Sequence, residues 1–524
     1  MRFSKADLKQ MERWGVTPAQ VRDQLETCRH AAFSVLDRPC TLGDGIRRFG
    51  ADEVERYLQR HRQAAGEGRF QGFIPASGAA TRMFQSLLQI YHMPHFLEQE
   101  ELKCRVWQGV SVACDFVTFL EALPRFAFFE DLKSAVAREE TTLSAILEGA
   151  RFRVLLEFLL TQRGLAYGAL PKGLLKFHRY PSESRTAFEE HLVEGGLYLC
   201  DRRGVCKLHF TISSEFEEWF RSLHEKAQTV HGTPKGIRFE VGFSYQKRST
   251  DTIAVDRDKR PFRDRSGRLV FRPAGHGALL ENLNDLQGDL IYIKNIDNVV
   301  PDRLKDPCVF WKKVLGGYLV EVQEKVHECV RKLLHDPSPG VVHKAVRLAA
   351  DELLLDLPPC PEECSLDERR EHLLEALDRP IRVCGVVPNV GEPGGAPFWV
   401  RGRDGRRSIQ IVEKAQVDLN DPDQKGIWES STHFNPVDLV CAVRGSSGEP
   451  HDLRRYVDRS AVILTRKTKD GRELEAIELP GLWNGAMADW ITLMVEVPRI
   501  TFNPVKTLFD LLRPEHCADT GPAG

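Results

Sequence analysis

Apolar positions recur every three to four residues along some stretches of the chain and every two along others. The switching between these periods predicts an α/β protein. Residues 5 to 65 carry helical spacing with heavily charged faces, as in Ala51-Asp52-Glu53-Val54-Glu55-Arg56-Tyr57-Leu58, and predict a helical N-terminal preface over residues 1–69. Helical spacing returns over Phe84 to Tyr91, Cys114 to Leu123, Phe128 to Ala137 and Thr142 to Thr161, where Thr142 is placed to cap the start. Residues 84–170 thus read as an all-helical insertion within a catalytic unit spanning 70–512, with 513–524 as a flexible tail.

From residue 171 the pattern changes to short apolar runs separated by turn residues. Strands are predicted over Gly196 to Cys200, Lys207 to Ser213, Ile237 to Gln246, Leu269 to Phe271 and Leu290 to Ile296, with Ser214 to Ala227 helical between them. Trp311 to His335, Gly340 to Leu357 and Leu366 to Leu377 follow as amphipathic helices, the first two joined by Asp336-Pro337-Ser338-Pro339. Strands then return over Ile381 to Val387, Ser408 to Gln416, His433 to Val443, Ala461 to Thr465, Leu474 to Leu479 and Ile491 to Val497. Gly391 to Pro397 reads as a loop on its Gly and Pro content.

Charge narrows the classes of partner. The 524 residues hold 73 basic and 75 acidic side chains, a formal net charge of −2, so no overall field draws nucleic acid or an anionic membrane. The amino terminus has no apolar signal core, and the most apolar helical stretch, Phe152 to Leu160, is short and carries Arg153 and Glu157. The expectation is a soluble, cytoplasmic protein that binds neither nucleic acid nor membrane. Thirteen scattered cysteines suit reduced thiols, and Cys360-Pro361-Glu362-Glu363-Cys364 lacks the second pair a zinc site needs.

Five stretches have the makings of a site. Ser77-Gly78-Ala79-Ala80-Thr81-Arg82 strips the chain to small residues after an apolar run and ends on a cation, which suits backbone contact with phosphate; a tight turn at Gly78 is the alternative. Pro171-Lys172-Gly173 offers a lysine that can neutralise a phosphate. Gly275-His276-Gly277 opens a helix with room for a flat ring or ribose, or with His276 as a mere cap. Ile296-Asp297-Asn298 ends an apolar strand with a carboxylate able to hold Mg²⁺ alongside nucleotide phosphates. Lys506 follows Pro504 at a strand-to-helix junction.

Taken in order, these stretches resemble the eukaryotic-type UDP-sugar pyrophosphorylases. Ser77 to Arg82 and Pro171-Lys172-Gly173 are similar to that family's Gly-rich loop ending in Thr-Arg and its Pro-Lys-Gly. Phe243-Ser244-Tyr245-Gln246 resembles its Phe-x-x-Gln strand, and Pro273 to Leu279 resembles its uridine-contacting Pro-Asp-Gly-Asn-Gly-Gly loop, with His276 where the family has asparagine. Ile296-Asp297-Asn298 resembles its Val-Asp-Asn. Gln410 to Asp418 resembles the segment whose glutamate meets the sugar, Phe434-Asn435 its Phe-Asn, and Phe502 to Lys506 its Phe-x-Pro-Val-Lys. The whole chain is also similar to a bacterial domain-of-unknown-function family, notably over Arg272 to Leu283 and Leu479 to Trp490.

The resemblance implies a nucleotidyltransferase fold, similar to glycosyltransferase-A and Rossmann-like sheets: mixed, mostly parallel, with the helical insertion between the first two motifs. It implies transfer of a nucleotidyl group, uridylyl from UTP, to a sugar 1-phosphate, with release of pyrophosphate and Mg²⁺ as cofactor. In that reading Arg82, Lys172 and Lys506 serve catalysis. Ser77, Gly78, Ala79, Ala80, Thr81, Gln246, Gly275, His276 and Gly277 hold the nucleotide. Glu413 and Asn435 meet the sugar, and Asp297 holds the metal. Two other classes fit the same pieces: an inactive nucleotide-sugar binding module, to which Ala79 and Ala80 in place of glycine lean, and a glycosyltransferase, against which stands the pair Lys172 and Lys506, better suited to triphosphate chemistry.

Overall fold

A computed structural model describes residues 2–30, 33–93, 98–336, 338–357, 364–391, 394–402 and 404–517. Its centre is a ten-stranded mixed sheet. In chain order its strands are β1 (Thr41–Leu42), β2 (Gly45–Arg47), β3 (Phe70–Pro75), β4 (Val205–Thr211), β5 (Arg238–Ser244), β6 (Leu290–Lys294), β7 (Ile381–Pro388), β8 (His433–Phe434), β9 (Asp438–Ala442) and β10 (Ile491–Glu496). Across the sheet they run β1-β2-β10-β7-β9-β6-β3-β4-β5, with β8 paired to the far end of β7. The β3–β4, β4–β5, β6–β3, β7–β10 and β10–β2 pairs are parallel, whereas β9 lies antiparallel between β6 and β7. This is the α/β, largely parallel sheet expected, and its central strands are continuous apolar runs because helices and loops cover both faces.

The period of two sorts the strands' side chains into two cores. Phe70, Ile74, Leu208, Tyr292, Val383 and Val440 face one, and Phe73, Ile291, Ile293, Cys384, Leu439 and Cys441 face the other. The 31-residue helix Lys305–His335 crosses the first face against the helix Ala51–Gly66. Their approach depends on missing side chains: a Cβ at Gly317 would lie 1.8 Å from the Tyr57 carbonyl oxygen, and one at Gly316 would lie 1.9 Å from the Tyr292 hydroxyl.

Between residues 84 and 170 the described residues form helices and turns only: Gln85–Tyr91, Gln99–Trp107, Ser111–Ala122, Phe129–Ala137, Leu143–Glu148 and Phe152–Leu160. Thr142 does accept the Ala145 amide at an N-cap, but the helix it starts is broken at Gly149-Ala150, where Ala150 takes φ 49°. Phe152–Leu160 is apolar because it is interior. Leu155, Leu156, Phe158 and Leu159 are fully buried in the same core that lines the first face of the sheet. Among the described residues no single helix is long and apolar enough to cross a membrane.

Three expectations are corrected. Residues 1–69 are not wholly helical: strands Val35–Pro39, β1 and β2 lie between the helices Pro18–His30 and Ala51–Gly66, and Val35–Pro39 pairs with Gly395–Arg401. That partner is itself the second correction, since part of the supposed loop Gly391 to Pro397 is the middle strand of a three-stranded sheet; pairing on both sides overrides its turn-like composition. Third, Gly196 to Cys200 is a turn after the helix Ala187–Gly195, and its apolar run packs Tyr198 and Leu199 into the core without a strand partner. The tail beyond Cys517 and the span Cys360 to Glu363 lie outside the described residues. Among the described residues, the cysteines other than Cys364 and Cys517 are free thiols.

Candidate active site

Parallel pairing places the carboxyl ends of β3, β6, β7, β10, β4 and β5 on one edge of the sheet, joined there by the amino end of the antiparallel β9. Loops leaving that edge carry the site residues, the usual location for ligands of open α/β sheets.

The loop after β3 is stitched to the lysine segment that follows the helical insertion. Ala80 donates its amide to the Leu170 carbonyl at 3.1 Å and Lys172 donates its own to Gly78 at 3.3 Å. The Ala80 amide is therefore spent within the fold. Among the described residues the amides of Ser77, Gly78 and Ala79 meet no backbone acceptor, and Gly78, Ala79, Thr81 and Arg82 are exposed. Gly78 is not a turn glycine. It has no positive φ, and a Cβ there would meet nothing within 4 Å, so neither backbone nor packing demands glycine. What the absent side chain leaves is open approach to three successive amides. Arg82, beside them, has no ion-pair partner among the described residues.

At the end of β6, Asp297 draws both predicted lysines to one oxygen. Lys172 Nζ lies 2.8 Å and Lys506 Nζ 3.1 Å from Asp297 Oδ2, and Lys172 also donates to the Val505 carbonyl at 2.8 Å. The Asn298–Pro504 bridge and the Val505 amide on the Asp297 carbonyl fasten the two chain segments together. Burial works against the Asp297 carboxylate, yet the Lys506 and Lys172 charges hold it below the usual carboxyl range. Burial likewise pulls the Lys172 ammonium below the usual lysine value, with the Asp297 charge opposing. Lys172 is mostly buried, whereas the Lys506 side chain is 53% exposed and is the one free to leave its carboxylate for an incoming anion.

Among the described residues Asp297 Oδ1 has no hydrogen-bond partner although it is buried, an uncommon state for an anionic oxygen and one a cation would relieve. Among the described residues no three His, Cys, Asp or Glu side chains gather as a protein-only metal site. The residues present therefore fit a hard cation such as Mg²⁺, which would be held by this one carboxylate and would take its remaining ligands from phosphate and water.

The third predicted loop is locked in place. Gly275 takes φ 75° and ψ −165°, open only to glycine, and a Cβ at Gly277 would lie 2.2 Å from the Pro480 carbonyl oxygen. His276 Nδ1 accepts the Leu482 amide at 3.0 Å, and the ring stacks on Trp483 with centroids 4.1 Å apart and planes 7° from parallel. With Nδ1 accepting, the neutral ring carries its proton on Nε2, which faces Glu413 Oε1 at 3.7 Å. Asn484 donates to the same oxygen at 2.8 Å, and His276 followed by Asn484 holds the Glu413 carboxyl below its usual value. The structure thus brings His276 and Glu413 together, two residues assigned by sequence to different ligand parts.

Gln246, just past β5, is half-buried; the neighbouring Tyr245 carbonyl and Ser244 hydroxyl accept from Asn282, which ties that strand end to the helix Leu280–Leu286 beyond the His276 loop. Asn435 is placed differently from a sugar contact. Its Nδ2 donates to the Gly385 carbonyl, its Oδ1 accepts the Val437 amide, and it is buried, so its amide fixes the β8–β9 turn. Its neighbour Phe434 packs on Phe502, joining that turn to the Lys506 segment. The segment Pro480 to Asn484, which supplies the ring under His276 and the amide on Glu413, lies in the stretch Leu479 to Trp490 that the sequence singles out by resemblance alone, with no site role assigned to it.

A family model described as "Domain of unknown function (DUF4301)" matches residues 4–517. The chain belongs to this family. No curated protein matches it. Among solved structures, this DUF4301 chain is similar to the uridine diphosphate N-acetylglucosamine pyrophosphorylase of Trypanosoma brucei, at 13% identity over 97% of this chain and 79% of that one, with a TM-score of 0.48. It is also similar to a mutant UDP-glucose pyrophosphorylase of Leishmania major in complex with UDP-glucose, at 13% identity over 98% and 79%, TM-score 0.44. A third is the UDP-glucose phosphorylase of Trypanosoma brucei, at 13% identity over 97% and 77%, TM-score 0.43. Likeness at this level says nothing of what the DUF4301 chain binds.

Proposed function

We propose that this DUF4301 chain is a nucleotidyltransferase that joins a nucleoside triphosphate, UTP in the first instance, to a sugar 1-phosphate and releases pyrophosphate. The observation that carries the reading is the convergence of Lys172 and Lys506 on Asp297, beside the open amides of Ser77, Gly78 and Ala79. Two polyanions must meet in this reaction, and the barrier is lowered by charge cancellation and alignment more than by proton transfer.

In this reading Arg82 and the Ser77–Ala79 amides take the β- and γ-phosphates, while Thr81 borders them and Ala80 anchors the loop. Lys172 neutralises the α-phosphate as it passes from one oxygen partner to the other. Lys506, the exposed member of the pair, moves to the sugar phosphate, whose ionised oxygen attacks without a general base. Gly275, His276 and Gly277 frame the nucleoside with Gln246 at the base edge, and Glu413, oriented by Asn484, accepts a hydroxyl of the ligand. Mg²⁺, when bound, would be held by Asp297 through Oδ1 and would supply charge neutralisation at the phosphates.

Pyrophosphate release from UTP, CTP, GTP, ATP and dTTP, with Mg²⁺ and a panel of sugar 1-phosphates, tests this. Release that requires one nucleotide together with one sugar phosphate is expected. Nucleotide binding by thermal shift with no release from any pair would replace the transferase by the binding-module reading.

A further inference from the structure

Away from the lysine site, at the amino edge of the sheet, lies a cavity of 850 Å³. One wall is the helix Ala51–Gly66, which presents Leu58, His61, Arg62 and Ala65 at the i, i+3, i+4, i+7 spacing of a single face. The facing wall is the helix Lys305–His335, presenting Asp306, Val309, Phe310 and Lys313 at the same spacing. Leu197 to Arg202, ahead of β4, closes the third side.

Elsewhere the same two helices pair their charges. Arg56 meets Glu321 at 2.8 Å and Arg60 meets Glu324 at 2.7 Å. At the cavity that pairing stops. Among the described residues Arg62, Arg202 and Lys313 have no carboxylate within ion-pair distance, and Arg62 and Lys313 face each other closely enough that, after burial, the Arg62 charge is the main influence weakening the Lys313 ammonium, with Asp306 opposing. The other carboxylate on the rim, Asp201, is occupied: its Oδ1 accepts the Arg203 and Val205 amides and its Oδ2 pairs with Arg203. Arg202 lies across Gly66, where a Cβ would come within 3.0 Å of its Nε. Beside these cations Phe310 and Leu197 each leave 39% of their surface to solvent, an apolar floor without a cover.

We infer that this cavity is a second ligand site, for a phosphomonoester whose apolar or aromatic body rests on Phe310 and Leu197 while Arg62, Arg202 and Lys313 take the phosphate. A dianion supplies the counter-charge that the three cations lining this cavity lack, and guanidinium pairs bind phosphate in a fork. The volume suits a small molecule, and the concave shape with a protein of net charge −2 excludes a nucleic acid or membrane surface.

The test is calorimetric titration of the full chain with phenyl phosphate, with inorganic phosphate and phenol as separate arms. Phenyl phosphate is expected to bind more tightly than either fragment. The double variant Arg62→Gln/Lys313→Met, both positions lacking ion-pair partners among the described residues, should weaken it by about tenfold or more at unchanged melting temperature. Phe310→Ala should weaken phenyl phosphate and leave inorganic phosphate unmoved, and Lys506→Ala should alter neither. No binding to the unmodified chain, equal affinity in the double variant, loss in Lys506→Ala, or displacement by UTP would each overturn the assignment.

Discussion

His178 Nε2 lies 2.9 Å from His516 Nδ1, with the two rings stacked 5.3 Å apart and fully or nearly fully buried. His178 follows the Lys172 segment and is held on its other nitrogen by Glu190 at 2.9 Å; His516 follows the Lys506 segment and its ring faces the Asn503 carbonyl. The contact is therefore a clasp between the two lysine-bearing stretches. One ring must donate and the other accept, so two imidazolium ions cannot share it.

That clasp makes stability fall with acid. Burial, then the His178 charge, pushes the His516 imidazole down to about 3, and burial pushes those of His61 and His191 to about 3 as well. An unfolded histidine takes its proton near about 6.5, so between those values the unfolded chain binds more protons. The stabilisation is complete above the unfolded value and is lost progressively as pH falls toward the folded one. Urea midpoints should drop steadily from pH 7.5 to pH 5, and His516→Phe should flatten part of that slope. A slope that is the same in His516→Phe as in the unmodified chain would remove the clasp from this response.

The two lysines should separate stability from turnover. Lys506 is half exposed and Lys172 is not, although both reach Asp297 Oδ2. Lys506→Ala should leave the melting temperature nearly unchanged. Lys172→Ala strips a buried partner from a buried carboxylate and should lower it clearly, by up to about 3 kcal/mol in stability. Both should reduce pyrophosphate release by about a hundredfold or more. Full activity in either variant removes that residue from the reaction.

Glycines in the two loops should behave oppositely. Gly78→Ala meets open space and should not alter stability, but it should weaken nucleotide binding by narrowing the approach to the Ser77–Ala79 amides. Gly277→Ala drives a Cβ into the Pro480 carbonyl and should destabilise the fold by about 1–3 kcal/mol. Thermal melts with and without UTP measure both effects. Equal behaviour of the two variants would mean that the first loop is a packing feature and no cradle.

The sheet is legible because apolar runs such as Leu290 to Ile293 are local signals, whereas Lys172, Asp297 and Lys506 are singled out through the family resemblance, and the structure brings the three together at one carboxylate oxygen. Sequence reading goes astray where pairing at long range decides the outcome. Gly395–Arg401 forms a strand only because Val35–Pro39 and Arg407–Glu413 flank it, partners hundreds of residues and a dozen residues away. Asn435 looked like a ligand contact, yet its amide is consumed by Gly385 and Val437, a fact no spacing reveals. The Trp483 ring under His276 was invisible for the same reason, since 206 residues separate His276 from the Leu482 amide it accepts.

Asp297 is the position at which charge and pH response meet. Asp297→Asn keeps the shape of the side chain and removes the anion that offsets burial at Lys172. With that offset gone, burial and the Lys506 charge both lower the Lys172 value further, so the ammonium is lost at a lower pH than before. If Lys172 acts as a cation at the α-phosphate, the alkaline limb of the rate profile should move to lower pH in Asp297→Asn. The Mg²⁺ concentration for half-maximal rate should rise in the same variant, since the unpartnered oxygen no longer belongs to an anion. Added Lys172→Arg, whose guanidinium stays charged throughout, should return the alkaline limb without restoring the Mg²⁺ response. An alkaline limb that does not move in Asp297→Asn would show that Lys172 protonation does not limit the reaction.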